Sequence, residues 1–401
     1  IKEGKIAAAA TVNEGGVAAA LSKMCFGNGL GFIFSRFITA ADGLFVLQPG
    51  GFLLELNGGA EPEELFAGLD WMPLGETDGE GRIEINGQII GLDEARRAWE
   101  GALSDIFPAC CPSGDQPAKS YLYESAGPRK HAVRIARPRI FIPVFPGTNC
   151  EYDTARAFGA AGGQPEIFVV RNRTTSDIIN SVQAMARAIG RAEIIALAGG
   201  FSAADEPDGS GKFIATMFRN PRLKEAVAEF LEKRGGLMLG ICNGFQALIK
   251  LGLLPYGEIT ELLPDSPTLT FNAIGRHVST VCGTKVVSCL SPWLALDELG
   301  TVHKVALSSG EGRFFAGGDH LERLFAAGQV ATQYVDNDGL PTMLAPYNPN
   351  GSVMAVEGLT SPDGRIFGKM CHSERWIPGL MKNIPGDKEQ KIFKAGVNYF
   401  E

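Results

Sequence analysis

The residues Gly240-Ile241-Cys242-Asn243-Gly244 have the spacing of a strand–turn–helix elbow that presents a nucleophile, with Cys where other elbows carry Ser. An apolar strand signal at 237–241 leads into them, and a helical pattern over 244–251 starts at once afterwards. The two glycines have a steric role, because so tight a turn leaves no room for Cβ atoms beside it. A thiol held there lies at a helix N-terminus, whose dipole favours the thiolate. The N–H of Asn243, one residue on, is placed to stabilise an oxyanion. A cysteine at a strand end is in most proteins ordinary packing. Here the flanking glycines and the following helix turn the reading toward nucleophilic chemistry.

Such a nucleophile needs a base, normally histidine, and a group that orients the base. Among five histidines, His372 comes just after the strand signal 366–371 and is followed two residues on by Glu374. In extended backbone the two side chains share a face at about 6–7 Å between Cα atoms, close enough for the carboxylate to fix the imidazole tautomer. His303 and His320 lack a comparable acidic partner, His131 falls in a linker-like stretch, and His277 stands beside Arg276. A second oxyanion donor is expected from another strand end. Ala198-Gly199-Gly200-Phe201-Ser202 offers small residues there, although such glycines also make simple turns.

These groups are far apart in the chain, so a scaffold must bring them together. The 401 residues are enough for two or three domains, and 45% hydrophobic against 20% charged residues provides a large core. That balance excludes general disorder, and no apolar run approaches the ~20 residues of a membrane span. A net charge of −8 argues against nucleic acid as the main ligand. Eight cysteines, with no signal peptide and no C-x-x-C pair, indicate neither a disulfide framework nor a zinc site and suit a reducing cytoplasm. The chain starts Ile1-Lys2-Glu3 without Met, which reads as a fragment or a processed piece.

Residues 1–104 read as an α+β module, with a helix at 16–24, apolar segments at 45–47 and 52–56, a strand 82–90 turning at Asn86-Gly87, and a closing helix at 94–103. Residues 105–138 carry Cys110-Cys111-Pro112-Ser113-Gly114 and a basic run (Arg129, Lys130, Arg134, Arg137, with Arg139 just beyond) and read as a linker with a solvated surface. From 139 to 401 short apolar strands (140–145, 167–171, 194–198, 237–241) alternate with helical stretches (153–161, 177–189, 222–234). Further strand candidates lie at 278–281, 305–307, 353–356 and 366–371. The alternation predicts an α/β domain with a doubly wound, mostly parallel sheet and a site at the carboxyl ends of its strands. Residues 205–212 end in Gly-Lys, but Glu206 stands where a phosphate loop needs its first glycine and Phe213 where it needs Ser or Thr, so they read as an acidic loop.

Five blocks recur in order over about residues 138–385: Val144-Phe145-Pro146-Gly147-Thr148-Asn149-Cys150-Glu151, Ala198-Gly199-Gly200-Phe201-Ser202, the elbow through Gln246, Gly310-Glu311-Gly312-Arg313, and Thr360-Ser361-Pro362-Asp363-Gly364-Arg365 running on to Arg375. Together they resemble the class I glutaminase part of the phosphoribosylformylglycinamidine synthase family, which is C-terminal in its long single-chain form. The resemblance implies a Cys242, His372, Glu374 triad that attacks the side-chain amide of L-glutamine. It implies that backbone N–H groups of Gly200, Phe201 and Asn243 surround the oxyanion, and that Gln246 contacts the α-amino or carboxylate end of glutamine. No metal and no cofactor are implied for the glutaminase step; ATP and Mg²⁺ serve the complete synthase, which makes formylglycinamidine ribonucleotide in purine biosynthesis. The implied partner is the rest of the synthase chain (its N-terminal domains and first synthase repeat), with no nucleic acid and no membrane.

Upstream, Val12-Asn13-Glu14-Gly15-Gly16-Val17-Ala18-Ala19-Ala20-Leu21 resembles the start of the C-terminal subdomain of an aminoimidazole ribonucleotide synthase-like unit. Ala10 and Thr11 stand where catalytic repeats carry a His-Asp pair, so a degenerate repeat without catalytic residues is expected. Two positions depart from the glutaminase pattern: Ser309 where the family usually has His before Gly-Glu-Gly-Arg, and Ser373 where many smaller-subunit forms have Pro. The rival readings are another thiol hydrolase or cysteine peptidase on the same elbow, and an inert interaction module.

Overall fold

The computed structural model describes residues 1–39, 42–104, 106, 118–125, 131–202 and 210–401. The Cys110-Cys111 pair, Arg129, Lys130 and the acidic residues Asp205, Glu206 and Asp208 lie outside these. The chain divides into two units, Ile1–Ala109 and Cys110–Glu401.

In the first unit Gly75–Asp78, Gly31–Phe34, Arg82–Ile85 and Gln88–Gly91 lie side by side in one sheet, and Ile6–Thr11 pairs antiparallel with Phe52–Leu56. Leu21 and Cys25 of the helix Gly16–Asn28 meet Phe32, Ile83 and Leu92 in a small core. Asn86 and Gly87 both take positive φ between their two strands, as a two-residue hairpin demands. Residues 45–47, read as an apolar segment, form an exposed turn. The Ala18 N–H donates to Leu44 O at 2.9 Å, which ties this segment to the helix start. Pro49-Gly50 then prevents a continuing ladder.

The second unit is built on nine strands: β1 (Arg139–Val144), β2 (Gln164–Val169), β3 (Ile194–Leu197), β4 (Leu237–Ile241), β5 (Val278–Val286), β6 (Val302–Ser309), β7 (Val330–Val335), β8 (Val356–Thr360) and β9 (Ile366–Lys369). Their order across the sheet is β6-β5-β7-β8-β9-β4-β3-β1-β2. Strands β9, β4, β3, β1 and β2 are parallel neighbours, whereas every pairing from β9 through β8, β7 and β5 to β6 is antiparallel. The doubly wound parallel architecture therefore covers half of the sheet. The other half is antiparallel because β5 leads to β6 with only a 3-10 turn (Pro292–Leu294) between them, and a tight turn closes β8 on β9 (Gly364 N to Ser361 O, 2.9 Å); neither link holds a crossover helix.

The central strands β1, β3 and β4 are apolar along their length because helices cover them on both sides, and Ile140, Ile142, Ile194 and Leu237 are fully buried. Among the flanking helices, Thr175–Ile189 starts with a reciprocal Thr174–Asp177 capping box and Pro221–Glu232 with an Asn220 cap. Strand order reverses between β3 and β1, and there the loops after the two strands meet, with Thr148 bridged to Gly200. Two stretches read as linker lie against this unit: Tyr123 N donates to Val287 O, and His131 N and Ile135 N donate to Tyr399 O and Phe400 O. No helix among the described residues is long and apolar enough to cross a membrane.

Strand β6 also buries His303, whose Nε2 lies 3.6 Å from carboxylate oxygens of both Asp297 and Asp387. Burial pushes Asp297 up to about 6 and His303 down to about 4. Between about 4 and 6 the folded Asp297 keeps a proton that the unfolded chain has released, so this group makes stability fall as pH rises. His303 lacks, over almost the same window, a proton that the unfolded chain binds, so it makes stability rise with pH. The two trends oppose each other in the native protein. Thermal unfolding of His303→Asn is expected to show Tm falling from pH 4 to pH 6 relative to wild type, and Asp297→Asn to show it rising. Parallel curves for the two variants would refute the assignment.

Candidate active site

Cys242 sits between β4 and the helix Asn243–Leu251 in a conformation that few side chains adopt, φ 53° and ψ −105°. The strain is held from both sides: Cys242 N–H donates to Lys369 O on β9 at 2.8 Å, and Gln246 N–H to Cys242 O at 3.0 Å. A Cβ on Gly244 would sit 2.0 Å from Leu197 O at the end of β3, so only glycine lets the helix start this close to the neighbouring strand. The Cys242 thiol is largely buried and points to Ser308 O at 3.5 Å.

His372 is brought to this sulfur by the sheet. It follows β9, the strand beside β4, and its N–H donates to Ala306 O of β6 at 2.7 Å. Its Nδ1 lies 2.6 Å from Glu374 Oε1, with both residues buried. The expected pairing is present, but by different geometry: Ser373–Arg375 forms a 3-10 turn instead of continuing extended, which curls Glu374 back to the ring. With Nδ1 committed to Glu374, the second ring nitrogen, Nε2, is buried and makes no hydrogen bond among the described residues. Burial opposes a charged imidazole, yet the Glu374 carboxylate, aided by Cys242 and Cys150, raises the His372 pKa well above the ordinary histidine value. Desolvation likewise works against a charged Glu374, and the His372 charge and hydrogen bond overcome it, leaving that carboxyl below its ordinary range.

Of the three expected oxyanion donors, the Phe201 N–H is committed elsewhere: it donates to Gly147 O at 2.8 Å. The reason is the meeting of the β1 and β3 loops, which packs Gly147 against residues 200–202 too closely for any Cβ. Gly200 takes φ 152°, and its N–H makes no hydrogen bond among the described residues. Asn243 is the first residue of the helix, and its side chain accepts from Ser202 N–H and donates to Gln246 Oε1 at 2.9 Å. Gln246, expected to face substrate, is buried, and its Nε2 donates to Glu311 O at 2.7 Å. Both ends of its amide thus serve the scaffold, with one N–H and one lone pair left over. Ser309 turns its hydroxyl inward to accept the Glu311 N–H, so it shapes the Gly310-Glu311 turn.

Sequence reasoning assigned no role to several neighbours. Cys150 starts the helix Glu151–Ala160; its sulfur lies 3.9 Å from His372 Nδ1 and 3.5 Å from Arg375 Nη2. Arg156 Nη2 donates to Glu374 O at 2.7 Å. The signal for Cys150 was its place in the block 144–151; Arg156 lies beyond that block, and no spacing rule links either residue to partners more than two hundred positions away. Cys150, His372 and Glu374 also form the one group among the described residues whose donor atoms, within 4.8 Å of one another, could hold a metal ion. The His–Glu hydrogen bond already accounts for that proximity.

Residues 137–400 match the model of the CobB/CobQ-like glutamine amidotransferase domain. The chain is 34% identical to the phosphoribosylformylglycinamidine synthase subunit PurQ of Treponema denticola, over 66% of this chain and 99% of that protein. It is 28% identical to the human phosphoribosylformylglycinamidine synthase over 91% of this chain and 29% of that longer protein. A solved structure of PurLQS from Thermotoga maritima aligns over 66% of this chain and all of that one, at 25% identity and a TM-score of 0.47.

Proposed function

The chain belongs to the CobB/CobQ-like glutamine amidotransferase domain family, and we propose from that membership that it hydrolyses L-glutamine to supply ammonia to a phosphoribosylformylglycinamidine synthase. The observation that carries this reading is the strained Cys242 at the head of a helix, served by an imidazole whose other nitrogen is held by Glu374 at 2.6 Å. Cys242 Sγ attacks the side-chain amide carbon while His372 Nε2 takes the thiol proton. Glu374 keeps the ring oriented and stabilises its charge. The Gly200 and Asn243 N–H groups flank the developing oxyanion, and losing one such donor typically costs about 2.7–4 kcal/mol in the barrier. His372 then passes its proton to the amide nitrogen; the C–N bond breaks, ammonia leaves, and the acyl group stays on the sulfur as a thioester. Water, deprotonated by the same imidazole, frees glutamate.

Gln246 borders the site and offers its spare N–H and lone pair to the amino-acid end of the substrate. No cofactor takes part in this step. ATP and Mg²⁺ act with the remainder of the synthase, which uses the ammonia in the cytoplasm to make formylglycinamidine ribonucleotide. The first unit stands in that scheme as a degenerate synthase repeat.

The test is to incubate the chain with glutamine and with peptide esters, measuring glutamate, ammonia and ester cleavage against protein alkylated at Cys242. Slow, alkylation-sensitive release of glutamate and ammonia in equal amounts is expected, because the synthase partner that completes the site is absent. Ester cleavage alone would instead identify a peptidase, and no difference from the alkylated protein an inert module.

A further inference from the structure

Beside the triad lies a fully buried ion pair that the chemistry above does not use. Lys369, the last residue of β9, and Glu357 on β8 are both 0% exposed, with Nζ and Oε1 3.3 Å apart. The Lys369 amine also donates to Cys371 O at 2.7 Å and to Ser373 Oγ at 3.1 Å, which uses its three donors. Glu357 Oε1 accepts the Cys371 N–H at 2.8 Å, and its Oε2 accepts from Thr332 Oγ1. The peptide oxygen of Lys369 takes the Cys242 N–H.

A buried ion pair is a poor device for stability, since apolar side chains of equal volume commonly do as well or better. What it has, and an apolar pair lacks, is hydrogen-bond direction. Here the amine is aimed at the residues on either side of His372, and the backbone of the same lysine holds the nucleophile. We infer that Lys369 is a positioning residue: with Glu357 it clamps the turn at residues 371–373 and so sets His372 against Cys242. The inference rests on the glutaminase reading. It also explains how Ser can stand at position 373, the first residue of the 3-10 turn, where a proline would stiffen the backbone unaided.

The experiment compares the full chain with Lys369→Met/Glu357→Gln, which removes the clamp without stranding a buried charge, and with Ser373→Ala, which removes one of the amine's anchors. Glutamine kcat and KM and the rate of Cys242 alkylation by iodoacetamide are read on folded protein. The double variant is expected to lose about 10–100-fold in kcat with KM unchanged, because displacements of about 1 Å cost that much, and to alkylate more slowly in step. Ser373→Ala is expected to show a smaller loss of the same kind. Adding Ser373→Pro to the double variant is expected to restore most of kcat, since the φ of proline suits that position and His372, at φ −91° and ψ 82°, tolerates a following proline. Either variant folding with native kcat and native alkylation overturns the inference; if the double variant does not fold, Ser373→Ala decides. A wild-type chain that hydrolyses no glutamine defeats the function reading instead, while the alkylation rates still report whether Lys369 sets the sulfur and imidazole in register.

Discussion

Cys242→Ala is expected to lower glutamine hydrolysis by about 10⁴-fold or more, His372→Ala to do so to nearly the same extent, and the double variant to be little worse than either. The equality is the informative part. In the proposed reaction sulfur and imidazole act as one unit: without the thiol the base has no proton to take, and without the base the thiol is not activated and the leaving amine receives no proton. Removing the second partner therefore costs almost nothing further. Glutamate release with each purified variant, together with circular dichroism to establish folding, measures this. Losses that multiply in the double variant would mean that the two residues act independently, and activity near wild type for Cys242→Ala would place the nucleophile elsewhere.

Gly244→Ala is the second large effect, and it is steric. The added Cβ would lie 2.0 Å from Leu197 O, 2.7 Å from Leu197 C and 2.8 Å from Leu197 Cβ. Two of these are backbone atoms of β3, a buried central strand that cannot swing away as the end of a flexible side chain could. The helix must move off the strand instead, and it takes the Cys242 turn with it. A stability loss of about 3 kcal/mol is expected from such overpacking. That corresponds to a Tm lowered by roughly 6–12 °C, and kcat is expected to fall about 100-fold as the sulfur shifts from its base. Gly159→Ala is the matched control. Its Cβ meets nothing within 4 Å near the end of the helix Glu151–Ala160, so Tm is expected to hold or rise slightly. Differential scanning calorimetry of both variants, with kcat alongside, checks the pair. An undiminished Tm for Gly244→Ala would show that the elbow is not pressed against β3.

Much of the site was legible before any coordinates because its parts are encoded locally. The elbow is a matter of five consecutive residues, and His372 and Glu374 are two apart. The central parallel strands β1, β3 and β4 were legible from their apolar runs, whereas β2, at the sheet edge, was read at 167–171 but starts three residues earlier, with the polar Gln164 and Glu166 in it. The antiparallel half was less so: β7 and β8 carry buried polar residues, Thr332, Gln333, Glu357 and Thr360, which break the apolar pattern that marks a core strand. Lys369 falls within the strand read at 366–371, but nothing in the sequence shows that its amine is buried; that depends on the Glu357 carboxylate on the neighbouring strand and on Cys371 O and Ser373 Oγ.

By its residue types and short spacings, the sequence alone determined which atoms can react: a thiol at a strained turn and an imidazole with an adjacent carboxylate. The tertiary structure decided how the surrounding hydrogen bonds are shared out. It committed the Phe201 N–H to Gly147, the Gln246 amide to Asn243 and Glu311, and the Lys369 amine to the turn that bears His372. Each donor is local, but its acceptor is chosen by which loops and strands the sheet sets side by side; Cys150 and His372 come together across 222 positions of chain.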